Sequence, residues 1–211
     1  MSFAVKRLGI DYNASGISAI KHIYAGSSTT TETIPSGASQ VVIEAWGGGG
    51  SGGAGTGNDG AGYGGGGGGA GGYSKKTIAL TSADWGKTMI MVAQTSGTYP
   101  AYAKVSSGTY TLSAIQANRG NSGGNASTGT GGTAGTGGTA SGGDTNTTGS
   151  NGTAGSSLTG GVGGTGTTGT NGGPYGTGGD GQDYGTDRET HTPGPGRNVG
   201  RTNGGYVFYY T

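Results

Sequence analysis

Gln40-Val41-Val42-Ile43-Glu44-Ala45-Trp46-Gly47-Gly48-Gly49-Gly50 changes character at a single peptide bond. Seven residues rich in β-branched side chains follow the turn signal Pro35-Ser36-Gly37 and read as a strand. Four consecutive glycines then remove both helix and strand propensity. Beyond Trp46, side-chain burial cannot be what orders the chain. Working outward, the same two textures divide the sequence. Residues 1–46, 73–119 and the last six can form strands, whereas 47–72 and 120–205 are dominated by glycine.

Composition makes the contrast quantitative. Of 211 residues 57 are glycine, and Leu, Ile, Val and Phe together supply only 23, too few for an enzyme-sized apolar core. Only Leu158, Val162 and Val199 of those 23 lie between Gly120 and Gly200. Eleven basic against ten acidic residues leave a net charge of +1, which gives no electrostatic footprint for nucleic acid or an anionic membrane, so neither is expected as a partner. The absence of cysteine excludes disulfides, a thiolate nucleophile and a Cys-based zinc site. Residues 1–16 carry Lys6 and Arg7 but no signal-peptide apolar run, and no stretch has the ~18 consecutive apolar residues of a membrane helix. Synthesis in the cytoplasm without membrane insertion is expected.

In the strand-forming territory, Tyr73–Leu80 and Gly86–Ala93 flank Thr81-Ser82-Ala83-Asp84-Trp85 and read as a hairpin. A second hairpin is expected where Ser106-Ser107-Gly108 joins Tyr102–Val105 to Thr109–Ala114. Gly205-Tyr206-Val207-Phe208-Tyr209-Tyr210 is the most β-prone stretch and is expected to close a sheet. Met1 to Tyr24 alternates poorly and reads as an extended arm with one strand at most.

The glycine territory has a period of three. From Gly120 to Gly138 every third residue is glycine except Ala126, and from Gly143 to Gly164 the frame fails only at Asn146 and Leu158. A third run takes in Gly160, Gly163, Gly166, Gly169 and Gly172, then Gly178 and Gly181, missing Tyr175. Three residues per turn is the polyproline-II period, and glycine at each third position lets backbones approach. Thr, Ser, Ala and Asn in place of Pro exclude collagen. The expected fold is therefore all-β with essentially no α-helix: a small sheet or sandwich closed by the C-terminal strand, plus a bundle of glycine-rich polyproline-II-type helices. Interchain backbone bonds would replace a core in that bundle, with an irregular linker as the competing reading. The expected divisions are an arm at 1–22, a strand region at 23–119 plus 206–211 with a poly-Gly insertion at 47–72, and a period-three region at 120–205.

Thr33-Ile34-Pro35-Ser36-Gly37 leading into the strand and Gly47–Gly50, the tract Gly64–Gly69 with Ala70-Gly71-Gly72-Tyr73-Ser74-Lys75-Lys76, and the closing Asn203–Tyr210 resemble the glycine-rich domain of tailed-bacteriophage virion proteins, over residues 23–211. The resemblance implies polyglycine helices packed as a sandwich, with binding loops at the distal end. It also implies a structural virion protein, most concretely a tail-fibre or tail-tip adhesin contacting the host surface. A capsid decoration protein or head fibre is the alternative, and a non-viral glycine-rich cell-surface or ice-binding protein a further one. Residues 1–22 depart from the family pattern. There Phe3, Val5, Lys6, Arg7, Leu8 and Ile10 form a candidate docking arm for other virion proteins. Other partners implied are a host-surface glycan or outer-membrane protein and a second copy of the chain, and the location implied is the virion.

Chemistry is sparse. Ser82–Thr88 ends like a phosphate-binding loop, but Thr81 stands where the motif needs its first glycine. His22 and His191 have no neighbouring nucleophile arrangement, so no catalytic residue can be nominated, and neither an enzyme nor a cofactor is expected. Asp180, Asp183, Asp187 and Glu189 match no calcium-loop spacing and read as a solvated loop, with no metal expected. Asn13, Asn125, Asn146 and Asn151 begin N-x-S/T sequons that read as coincidence in a Thr/Ser-rich chain. Twelve tyrosines against two phenylalanines make tyrosine the enriched functional type. Tyr175 and Tyr184, inside the glycine tract, are the candidate recognition residues, with capping of the bundle ends as the structural alternative.

Overall fold

Twelve strands and one 3-10 turn make up the regular secondary structure of a computed structural model that describes residues 20–25, 30–58, 61–93, 102–107, 115–170, 177–181 and 204–211. No α-helix occurs among these residues, and the fold is all-β, as the sequence leads one to expect. One five-stranded antiparallel sheet runs β1 (Ile20–Ala25), β12 (Gly205–Tyr210), β3 (Gln40–Trp46), β6 (Tyr73–Ala79), β11 (Thr145–Thr147). A second runs β10 (Ala140–Ser141), β9 (Ile115–Asn118), β8 (Tyr102–Ser107), β7 (Thr88–Ala93), β2 (Thr30–Thr33). A small ribbon, β4 (Thr56–Asn58) with β5 (Ala61–Tyr63), stands apart.

The two large sheets pack face to face over one apolar core. Alternate residues of β3 (Val41, Ile43, Ala45) and of β12 (Tyr206, Phe208, Tyr210) meet Met89, Ile115 and Ala117 of the second sheet. Register puts Tyr206 opposite Ala45, Phe208 opposite Ile43 and Tyr210 opposite Val41, so the inward sets coincide. The opposite face of the first sheet carries a second cluster, Trp46, Tyr73 and Val207. The closing aromatic strand lies inside its sheet, between β1 and β3, rather than at an edge. Residues 20–22, which the sequence assigns to the arm, belong to β1.

Two strand pairings differ from the sequence expectation. Tyr73–Leu80 and Gly86–Ala93 are not a hairpin, because β6 lies in the first sheet and β7 in the second. Residues 80–87 cross between the sheets alongside the crossing at 34–39, with Ile34 N donating to Lys87 C=O (2.9 Å), Gly86 N to Ile34 C=O (2.9 Å) and Leu80 N to Ser39 C=O (2.8 Å). Partners distant in sequence decided this pairing, which local propensity cannot see. Tyr102–Val105 pairs with Ile115–Asn118 rather than with the expected Thr109–Ala114, which lie outside the described residues, and β8 continues through Ser107, so the expected turn residues Ser106 and Ser107 are strand.

Among the described residues the glycine segments form six rods around one. Residues 64–72 are the centre. Their N–H groups donate to three outer rods: to Asn118, Asn121 and Gly124; to Ser150, Thr153 and Ser156; and to Gly179. Their carbonyls accept from the other three: from Gly47, Gly50 and Gly53; from Gly132, Gly135 and Gly138; and from Gly161 and Gly164. Each set steps by three residues, the spacing at which a three-residue turn returns to the same face. Neighbouring outer rods are bonded too, and the ring closes where Gly179 N donates to Gly50 C=O (2.8 Å). The rods follow one another around the centre in chain order: 47–54, 118–126, 131–139, 149–156, 159–165, 177–181.

This packing explains why the central rod is glycine except for Ala70, while outer rods need it in fewer frames. A methyl at Gly67 would strike the carbonyl of Val162, and one at Gly69 that of Thr136, backbone atoms that cannot swing aside. Gly67→Ala and Gly69→Ala should each cost more than about 3 kcal/mol in a denaturant melt, the upper range for an overpacked interior. Thr136→Ala, at an exposed outer position of the rod that Gly69 meets, should stay within about 1 kcal/mol.

Candidate functional site

The rods run between two dissimilar ends. At the sheet end the chain leaves β3 at Trp46 for Gly47 and enters β6 from Gly72. There one buried polar centre forms. Glu44 has no exposed surface, and its carboxylate Oε1 accepts the Tyr73 hydroxyl and the Thr170 N–H (2.7 Å). Trp46 Nε1 donates to Thr167 C=O (2.8 Å), and the Trp46 and Tyr73 rings lie 5.2 Å apart, tilted by 46°. Lys75, opposite Glu44 in register, reaches across to Thr170 Oγ1 (2.9 Å). A side chain at Gly169 would strike the Trp46 ring and the Glu44 carboxylate, which is why 167–170 can lie flat on the sheet. Burial, reinforced by the hydrogen bond to Glu44, pushes the Tyr73 hydroxyl well above the ordinary tyrosine pKa. The arrangement clamps the rods to the sandwich.

The far end is built of turns. Ser127 and Thr130 exchange backbone bonds of 3.0 Å around Gly129, whose φ of 89° a side chain would rarely adopt. Ser156 N donates to Thr159 C=O (2.9 Å) and Leu158 N to Gly62 C=O (3.0 Å), which ties this turn to the β4–β5 ribbon beside Tyr63. Leu158 is the one non-glycine residue with positive φ (65°) among the described residues, and it is 44 % exposed. It also breaks the glycine frame at that position. Val162, on the next rod, is 63 % exposed. A branched apolar residue held in a left-handed turn and left in solvent is not there for the core.

Several residues singled out in the sequence find structural places. Gly163 donates to Asp180 Oδ1 (2.8 Å), Gly166 is buried, and Gly160 lies in the 156–165 turn and rod. Asp180 is thus used inside the bundle, while Asp183, Asp187 and Glu189 lie outside the described residues, as do Gly172, Tyr175, Tyr184, His191 and the arm residues Phe3, Val5, Lys6, Arg7, Leu8 and Ile10. Among the described residues no three His, Cys, Asp or Glu side chains gather as a metal site. Asn125, Asn146 and Asn151 all accept backbone N–H bonds, from Ala54, Gly143 and Gly137. The phosphate-loop look-alike is a 3-10 turn, Ser82–Asp84, capped at Thr81. Asp84 accepts from the Thr81 N–H and hydroxyl, which hold its carboxyl below the usual range, and Lys87 bonds it at 3.2 Å. Sequence reasoning missed Glu44 and Leu158. A charged residue inside an apolar strand and a non-glycine residue in a glycine frame are the signals that could have found them.

Tyr73 and Tyr206, both buried, give opposite expectations. Removing the hydroxyl by Tyr73→Phe strips a partner from a buried carboxylate and should cost about 1–3 kcal/mol. Tyr206, 3 % exposed, has a hydroxyl with no hydrogen-bond partner among the described residues, so Tyr206→Phe should be neutral or stabilising. Burial raises the pKa of both hydroxyls. Their protonated contribution is complete below the unfolded value of about 10 and is lost as pH rises above it. Melts across alkaline pH should therefore show stability falling from about pH 10, less steeply in Tyr206→Phe. Comparison of the chain with protein-family models and with curated proteins gives no match.

Proposed function

We propose that the rods are polyglycine-II-type helices and that the protein is a structural component of a tailed-phage virion, most concretely a tail-fibre or tail-tip adhesin. The observation that carries this reading is the polarity of the bundle: one end is clamped to a sandwich, and the other presents turns on rods tied together by backbone bonds. Rigid presentation of loops lowers the ordering cost of binding. Leu158, Val162 and the ring area of Tyr175 and Tyr184 are the recognition residues, and the partner is a host-surface glycan or outer-membrane protein. The segment before β1, with Phe3, Val5, Lys6, Arg7, Leu8 and Ile10, attaches the protein to its virion neighbours by adding to a strand edge. Among the described residues β1 is an edge strand of its sheet, and the segment precedes that strand directly in the sequence, which supports this reading.

Antibody fragments raised against the purified protein and located on intact particles by cryo-electron microscopy test the assignment. Label at the tail tip or fibre ends is expected. Label over the capsid would transfer the protein to the decoration class, and unlabelled particles would remove the virion reading. On particles that carry it, Leu158→Gly combined with Tyr175→Ala and Tyr184→Ala should lower adsorption about tenfold, equivalent to ~1.4 kcal/mol, without loss of incorporation.

A further inference from the structure

Asn151-Gly152 is the one Asn-Gly pair with both residues among the described ones, and Asp180-Gly181 is the one such Asp-Gly pair. A glycine amide, unshielded by any side chain, can attack the side-chain carbonyl carbon of the residue before it and close a succinimide ring. Asparagine is a thermolabile residue for this reason. The two pairs sit alike in the bundle. Asn151 Oδ1 accepts from Gly137 N (2.9 Å) while Gly152 N donates to Gly135 C=O (2.9 Å). Asp180 Oδ1 accepts from Gly163 N (2.8 Å) while Gly181 N donates to Gly161 C=O (2.7 Å). In each pair one neighbouring rod holds both the side chain and the amide that would attack it.

Packing imposes the glycine of each pair. A methyl at Gly152 would strike the Gly67 carbonyl of the central rod, and one at Gly181 the Gly65 carbonyl. The same packing blocks the reaction. Ring closure requires Gly152 N to swing onto Asn151 Cγ by rotation about the Asn151 Cα–C bond. Gly152 N would then leave Gly135, and the rod would change direction between Ser150 and Thr153, whose carbonyls accept from Ala70 N (2.8 Å) and Gly67 N (2.9 Å). Burial plays no part, since Asn151 is exposed. Reactive geometry is reached only after local opening.

We propose that Asn151-Gly152 is a spontaneous modification site gated by the fold, reactive in chains outside the bundle and silent within it, and that its isoaspartyl product bars a chain from folding. In the open chain Gly152 N bonds to Asn151 Cγ, the amide nitrogen leaves as ammonia with the proton from Gly152 N, and water opens the ring. Attack of water at Cγ breaks the new bond and gives aspartate, which keeps an oxygen for Gly137 N. Attack at the Asn151 backbone carbonyl breaks the original peptide bond and gives isoaspartate, whose main chain runs through Cβ and Cγ. The added methylene puts Gly149 and Ser150 out of step with Gly152, Thr153, Gly155 and Ser156, whose bonds to rod 131–139 and to the centre repeat every three residues.

The test ages the full chain at mildly alkaline pH, folded and in denaturant, and follows position 151 by peptide mapping and mass spectrometry. Conversion in the folded protein should be slower by about tenfold or more, as for any reaction that waits on local opening. Aged denatured chains are then returned to buffer, and folded and rejected pools are separated on a sizing column. Isoaspartate at 151 should be confined to the rejected pool, with aspartate at 151 present in both, and Asn151→Asp should fold and melt with the parent. Equal conversion rates in the two states, or isoaspartate at 151 shared evenly between the pools, overturns the proposal. An Asn151→Asp chain that does not fold overturns it too, because exclusion would then stem from the carboxylate and not from the added methylene. Should unaged chains fail to refold, the soluble and insoluble fractions of prolonged expression cultures supply the two pools for the same comparison.

Discussion

Hydrogen bonds between backbones that nearly touch are the constraint on which this protein rests. Between rods the N···O distances fall between 2.7 and 3.0 Å, and most of the contacting residues are glycine. A net ~0.5–1.5 kcal/mol per bond is modest. Glycine also loses more conformational freedom on ordering than any other residue. What makes the assembly specific is the asymmetry: an inner N–H or carbonyl without its partner costs about 1–3 kcal/mol, so a central rod missing any neighbour is strongly disfavoured. Six neighbours, three accepting from its N–H groups and three donating to its carbonyls, satisfy the central rod on every side.

A bundle of this kind has no apolar core to fix its rods in register, and the sandwich supplies that fixed reference. The central rod and rod 47–54 are direct continuations of β6 and β3, whose pairing sets Trp46 opposite Tyr73, and Gly47 N then bonds Gly72 C=O (2.9 Å) as the next step. Rod 118–126 likewise continues β9, and β10 and β11 anchor the connection between rods 131–139 and 149–156, one to each sheet. The ladder registers become rod registers. Glu44 and Trp46 extend the control to 167–170, which no strand pairing holds. Nearly all these partners are far apart in sequence, a topology in which loop closure must precede the contacts that reward it.

The residues between the glycines are also accounted for. Ser, Thr and Asn recur because short polar side chains can reach a neighbouring backbone from one rod over. Asn118 and Asn121 additionally bond the hydroxyls of Thr139 and Thr136 across a seam, at 2.7 and 2.6 Å. Surface positions in this bundle therefore have a bonding role that ordinary exposed residues lack.

By itself the sequence determined the strand Gln40–Trp46, the closing strand Gly205–Tyr210, the lack of an enzyme-sized core and the three glycine frames, because these depend on propensity, alternation and period within a few residues. Tertiary structure alone decided that β6 and β7 belong to different sheets, that β8 pairs with Ile115–Asn118, and that 64–72 is the centre. Each depends on which distant backbone offers a complementary row of donors and acceptors, and local composition carries no record of that. The candidate site divides the same way. Gly163 and Gly169 were legible as close-approach positions from their frame. Glu44, an acid in an otherwise apolar strand, acquired its partners Tyr73 and Thr170 only when residues 29 and 126 positions away were folded against it.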